Sequence, residues 1–234
     1  LSFYTANPQC VKSDRALARG PALRAFYSNY GYGLARRGGG MTLASGSSVG
    51  AAACLVAGVL STAIQLAAQP TAPFLDPRSV APYVPTPWHV VDRMLEAAAV
   101  SEGDVVYDLG SGDGRILLRA ARDRGARGVG FEIIEDLVRD AREAIGAAGV
   151  QDRVKIHQQD IFKADLRPAT VVTVVLMTSA NRQLRPKLDR ELRPGVRVAS
   201  YKWEIPGWNP SKTFTVPVSG AQQTIYVYEF GNHR

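Results

Sequence analysis

From residue 105 onward, short runs of aliphatic and β-branched residues alternate with stretches whose apolar positions recur every three or four residues. Val105-Val106-Tyr107-Asp108-Leu109 has the length and continuity of a buried strand, and Arg115 to Arg124 places Ile116, Leu117, Ala120 and Ala121 on one helical face. The alternation continues with a strand over Val129 to Glu132, a helix over Glu135 to Ala148 and a third strand over Val154 to His157. Further strands are predicted at Val171 to Leu176, Val196 to Tyr201 and Thr224 to Phe230. Ahead of them, Thr86 offers an N-cap and Pro87 a first-turn proline for a helix that carries Val90, Val91, Met94, Leu95 and Ala98 inward. Apolar strands joined through helices by short connections predict an α/β fold. The expected architecture is a Rossmann-like, doubly wound, mostly parallel sheet with helices on both faces.

The chain before this pattern divides into three parts. Residues 1–48 are read as a basic, poorly ordered leader, since they show no sustained apolar period. The chain opens on Leu1, and Met41 follows the Arg36-Arg37-Gly38-Gly39-Gly40 run, so Met41 is an alternative start. Val49 to Ala68 is a run of 20 residues without a charge, long enough to cross a bilayer core. A membrane anchor, a signal sequence cleaved near Ala68 and an alanine-rich helix packed in water are the three readings of it. Residues 69–81 form a Pro-rich linker, and six prolines fall between Pro70 and Pro87. The folded domain is placed at 82–234.

Charge changes this picture in one respect. The net charge is +7, but residues 1–40 hold +5 of it, and Pro70 to Arg234 has 22 basic against 20 acidic residues. A general phosphate-backbone binder carries its surplus on the folded surface, so no specific nucleic-acid partner is expected. Cys10 and Cys54 both precede the domain, and His89, His157 and His233 are scattered singly, so no metal is expected either.

The chemistry is concentrated in Asp108-Leu109-Gly110-Ser111-Gly112-Asp113-Gly114-Arg115, between the first strand and its helix. Gly110 and Gly112 permit a tight turn and a close approach of ligand to backbone, and the helix that follows aims its free N–H groups at the same place. Glu132 ends the second strand, 24 residues after Asp108, where a carboxylate can accept from both hydroxyls of a ribose. Asp160 follows the third strand and is placed to receive an adenine amino group beside Ile161. Ligands of open α/β sheets bind at the carboxyl ends of the strands, which is where all three carboxylates fall. Pyrophosphate disfavours an acidic loop, whereas the sulfonium and ammonium groups of S-adenosylmethionine suit Asp108 and Asp113.

The loop at 108–115, Gly-Phe-Glu at 130–132 and Pro82-Tyr83-Val84-Pro85-Thr86-Pro87 together resemble the seven-strand (class I) protein-lysine methyltransferases. Within them the resemblance is to the membrane-associated group that modifies the ATP synthase c-subunit and the adenine nucleotide translocase, with its bacterial relatives. It covers Val80 to Phe230 and implies a seven-strand sheet with S-adenosylmethionine as cofactor. It implies that Asp108, Gly110, Gly112, Glu132 and Asp160 contact that cofactor, with Ser111, Asp113 and Ile161 beside them, and that the 82–87 segment covers it. In that family an apolar segment also precedes the catalytic domain, which matches 49–68. The acceptor is then a protein, with membrane-protein lysines the first to test, and the catalytic domain lies on the membrane side that holds the cofactor; export after signal cleavage is the alternative. Tyr83, Thr86, Met177 and Asn181 are candidate substrate-channel residues. Two features depart from the pattern: Ile133-Ile134 follows Glu132 where lysine-modifying members tend to have Leu-Asn, and Leu176-Met177-Thr178-Ser179-Ala180-Asn181 is not an amide-methylation motif. An NAD(P)-dependent oxidoreductase and a non-catalytic, membrane-tethered cofactor-binding protein are the rival functions.

Overall fold

A computed structural model describes residues 79–233; the leader, the apolar segment 49–68, most of the linker and both cysteines lie outside the described residues. The described chain runs α1 (Trp88–Ala97), β1 (Val105–Leu109), α2 (Arg115–Arg124), β2 (Arg127–Glu132), α3 (Glu135–Ala147) and β3 (Val154–Gln158). It continues with a 3-10 turn (Ile161–Lys163), β4 (Val171–Val174), α4 (Thr178–Glu191), β5 (Arg197–Tyr201), β6 (Lys212–Val218) and β7 (Ala221–Glu229). The seven strands form one sheet in the order β3-β2-β1-β4-β5-β7-β6. The pairs among β1 to β5 are parallel, and β7 runs antiparallel to both of its neighbours.

Strand periodicity divides the core between the two faces of this sheet. Val106, Val171, Ala199, Ile225 and Val227 join the inward faces of α1, α2 and α3 on one side. Tyr107, Leu109, Val172, Val174, Val198 and Tyr228 pack on the other side with Leu184 and Leu188 of α4 and with Ile161 and Leu166 after β3. Helices on both faces explain why β1 and β4 read as unbroken apolar runs.

Three sequence-based expectations change. Thr86 does not cap α1: Pro87 occupies the cap position, makes no side-chain bond, and accepts from the Val90 and Val91 amides through its carbonyl. β4 stops at Val174, two residues short of the apolar run, because the chain there turns out of the sheet toward α4. β6 and α4 were not legible as elements. β6 carries Pro217 and exposes alternate polar residues, as a strand at the sheet edge can. In α4 the apolar stripe of Ala180, Leu184 and Leu188 is interrupted by Pro186, and the surrounding residues are mostly polar. No helix among the described residues is long and apolar enough to cross a membrane.

At the end of the sheet opposite the glycine loop, Asp104 organises the entry to β1. It accepts from the Ser101 amide at 2.8 Å, from the Thr170 hydroxyl at 2.7 Å and from Arg197, whose guanidinium also donates to the Ala98 and Ala99 carbonyls. Asp104→Ala is expected to cost about 2–3 kcal/mol, since it leaves a guanidinium and a hydroxyl, both partly buried, short of their acceptor. A urea melt with an unchanged midpoint would contradict this.

Candidate functional site

The order of the sheet reverses between β1 and β4, the place at which a doubly wound sheet opens a crevice at its carboxyl edge. Into it the chain turns out of β1 through the glycine loop. The Gly110 and Ser111 amides both donate to the Phe131 carbonyl at 3.0 Å, so the loop is fastened to the end of β2. Gly112, at φ +54, carries the ring of Tyr83 against its Cα, and a Cβ there would lie 2.6 Å from the ring carbon Cε2. Gly130 has a different reason for its lack of a side chain: a Cβ on it would meet the Ser111 hydroxyl at 2.7 Å and Ile156 at 2.6 Å.

Glu132 is the junction of the site. Its Oε2 accepts from the Gly112 amide at 2.9 Å and its Oε1 from the Ile133 and Ile134 amides at 2.8 and 3.0 Å. A carboxylate has about four acceptor positions, so these three backbone donors do not exhaust it and it can still accept from a ligand hydroxyl. Asp160 caps the 3-10 turn by accepting from the Phe162 amide at 2.9 Å.

Asp108 is almost fully buried, with Oδ1 held by the Thr173 hydroxyl at 2.7 Å from the neighbouring strand. Burial pushes its pKa up to about 7; the Thr173 hydrogen bond opposes this, and the nearby Glu132 and Asp113 charges add to it. Asp113 is differently placed: Arg115 Nε and Nη2 bind its two oxygens at 2.8 and 2.6 Å. Its charge is therefore engaged within the loop, and Asp108 is the better partner for a bound cation.

The cleft contains Tyr83, Thr86, Asp108, Gly110, Ser111, Gly112, Asp113, Glu132, Asp160 and Ile161 in its lining, joined by Phe131, Ile133, Ile134 and Leu176. Four carboxylates and one guanidinium, that of Arg115, give the wall a formal charge of −3 when all are ionised. Such a wall suits a cationic ligand and opposes a pyrophosphate. Met177 and Asn181, expected as channel residues, are not among the residues of this lining. The cleft edge is formed instead by Val175 and Leu176, and Asn181 lies one turn into α4, buried, its amide donating to the Trp203 and Glu204 carbonyls at 3.3 and 3.1 Å. Thr173 and Arg115 were missed as site residues. A lone threonine in Val171-Val172-Thr173-Val174 is a signal for a buried polar partner, and the arginine closing the glycine motif was the other.

The strand order, the antiparallel β7 and an acidic cleft at the switch point define a class I S-adenosylmethionine-dependent methyltransferase. Residues 108–212 match the family model described as the ANTKMT methyltransferase domain. The chain is 47% identical over 154 residues to a protein-lysine N-methyltransferase of Saccharolobus islandicus (strain REY15A), covering 65% of this chain and 96% of that protein. It is 30% identical over 183 residues to the lysine N-methyltransferase of the ATP synthase c-subunit from Mus musculus, covering 77% of this chain and 72% of that one. Among solved structures it is similar to an RNA methyltransferase from Salinibacter ruber in complex with S-adenosyl-L-homocysteine, at 53% identity and a TM-score of 0.59, over 62% of this chain and 93% of that one. The chain belongs to the protein-lysine N-methyltransferase family that includes the first two of these relatives. Its cofactor is S-adenosylmethionine, and the nicotinamide alternative is set aside.

Proposed function

We propose that the protein transfers a methyl group to the side-chain amine of a lysine on a protein substrate. The observation that carries this reading is an acidic cleft at the switch point of the sheet, in a chain of which 154 residues align with a protein-lysine N-methyltransferase at 47% identity. When bound, S-adenosylmethionine supplies an electrophilic methyl carbon on a sulfonium whose leaving group is a neutral thioether. Asp108 would face its positive charge, Glu132 would accept from the ribose hydroxyls, and Asp160 with Ile161 would hold the adenine. Gly110, Ser111 and Gly112 form the floor of the site. The lysine must lose its proton before its lone pair can attack; desolvation of the amine on entering the cleft works toward that loss, and the acidic wall works against it. Tyr83 does not take that proton, because burial, with Asp113 nearby, drives its phenol far above the ordinary range and keeps it protonated.

An RNA acceptor is the second reading, favoured by the Salinibacter ruber structure at 53% identity. Purified full chain with methyl-labelled cofactor, offered the ATP synthase c-subunit and total RNA in parallel, separates the two. Methyl-lysine in the protein hydrolysate is the expected result; label confined to RNA would sink the lysine acceptor and leave the methyltransferase intact.

The uncharged run at 49–68 supports a further element of this reading, a membrane-associated enzyme with its catalytic domain on the cofactor-holding side. Flotation of the full chain with vesicles, lost on removing 49–68, is expected. Protease protection that places the domain on the opposite side would refute the orientation.

A further inference from the structure

Pro82, Pro85 and Pro87 remove three N–H groups from the six-residue strap at 82–87, so its backbone is poorly equipped to pair with the sheet. Its attachments to the glycine loop are made by side chains and by the Thr86 carbonyl. Tyr83 lays its ring on Gly112 and turns its phenol toward Asp113 and Arg115. Arg115, 6% exposed, grips the loop with Nε and Nη2, both on Asp113, and grips the strap with Nη1, which donates to the Thr86 carbonyl at 2.8 Å. Its guanidinium also lies over the Trp88 ring, 5.2 Å from the centroid, at the start of α1. A planar cation with donors on two edges can hold a carboxylate and a carbonyl at once, whereas an ammonium on a flexible stem holds them far less well.

We propose that Arg115 is a positioning residue that latches the 82–87 strap over the cleft and thereby sets how long the cofactor and its thioether product stay bound. This rests on the cleft being the cofactor site. Residues 79–84 line the cleft together with the loop that Arg115 grips, so a loosened strap opens the wall of the site without removing any group of its floor. The latch also accounts for an arginine that is buried at the mouth of an acidic cleft: its charge is spent on Asp113 and its reach on the strap. Strap and loop are then a single unit, and a change in one is felt as a change in ligand residence.

Full-length wild type, Arg115→Lys and Tyr83→Phe are compared by hydrogen exchange without ligand and by the dissociation rate of S-adenosylhomocysteine. In Arg115→Lys, which keeps the charge beside Asp113, the amides of Val90 and Val91, which donate to the Pro87 carbonyl at the end of the strap, are expected to exchange faster, while those of β1 and α2 keep wild-type protection. Product dissociation is expected to accelerate roughly tenfold, as loss of a charge-assisted bond implies, with KM for the cofactor rising more than kcat falls. Tyr83→Phe keeps the ring on Gly112 and is expected to fall between the two. Wild-type exchange at Val90 and Val91 in Arg115→Lys overturns the latch, and so does loss of protection throughout the domain, which would make Arg115 a support of the whole fold. Failure of the wild type to bind S-adenosylhomocysteine would overturn the cofactor reading, and exchange at Val90 and Val91 without ligand would still decide the latch.

Discussion

Asp108→Asn is expected to abolish cofactor binding and at the same time to make the ligand-free protein more stable at pH 8. The unfolded chain ionises this carboxyl near 3.9, whereas in the fold burial holds it neutral until about pH 7. Its contribution to stability is therefore complete below the unfolded value and is lost as the pH rises through about 7. Above that, the empty fold carries a buried, poorly solvated charge. The gap between the two values bounds the cost at about 4 kcal/mol, and relaxation of the site brings an expected figure of about 2–4. Asparagine retains the oxygen that accepts from Thr173 and removes the charge, so this cost disappears. At about 2–4 °C per kcal/mol for a domain of this size, the melting temperature at pH 8 should rise on the order of 5–10 °C, with no difference near pH 4. Equal melting temperatures of variant and wild type at pH 8 would refute the assignment. The same group makes binding of the cationic cofactor weaken as the pH falls below about 7, by up to about tenfold per pH unit. S-adenosylhomocysteine, which has lost the sulfonium charge, should show a shallower dependence.

Glu132→Gln is expected to destabilise the protein as well as to cost at least about a hundredfold in cofactor affinity. The substitution looks conservative, but both carboxylate oxygens accept from backbone amides, Gly112 on one and Ile133 with Ile134 on the other. A glutamine side chain has one oxygen and one NH2 group, so at least one of these amides would face a donor. Buried unsatisfied donors cost about 1–3 kcal/mol each, and here they sit in the two loops that form the site. A loss of about 2–4 kcal/mol in urea melts is expected, together with weak binding in calorimetry. Wild-type stability with reduced binding would mean that Glu132 serves the ligand without organising the loops. Two carboxylates of one site are thus expected to act on stability with opposite signs. Asp108 is buried with a single hydroxyl for company, and Glu132 is buried with three backbone donors.

The alternation of apolar strands and amphipathic helices was enough to determine the fold class, because a strand covered on both faces and a helix covered on one leave different periods in the chain. The glycine loop, Glu132 and Asp160 were legible for a similar reason: each is a local exception, a turn or a charge, at the end of an apolar run. β6 and α4 were hidden because an edge strand tolerates Pro217 and α4 draws its order from packing Leu184 and Leu188 on the sheet, despite Pro186. Only the tertiary structure decided how the charges of the cleft are shared. Arg115 stands beside Asp113 in sequence, yet its hold on Thr86 spans 29 residues, and Thr173 reaches Asp108 across 65. Asn181, near the cleft by sequence, turns instead to the 203–204 carbonyls. Residue types and their period are properties of the chain. The partner that neutralises a buried charge is chosen by which strands lie side by side, and no local pattern encodes that choice.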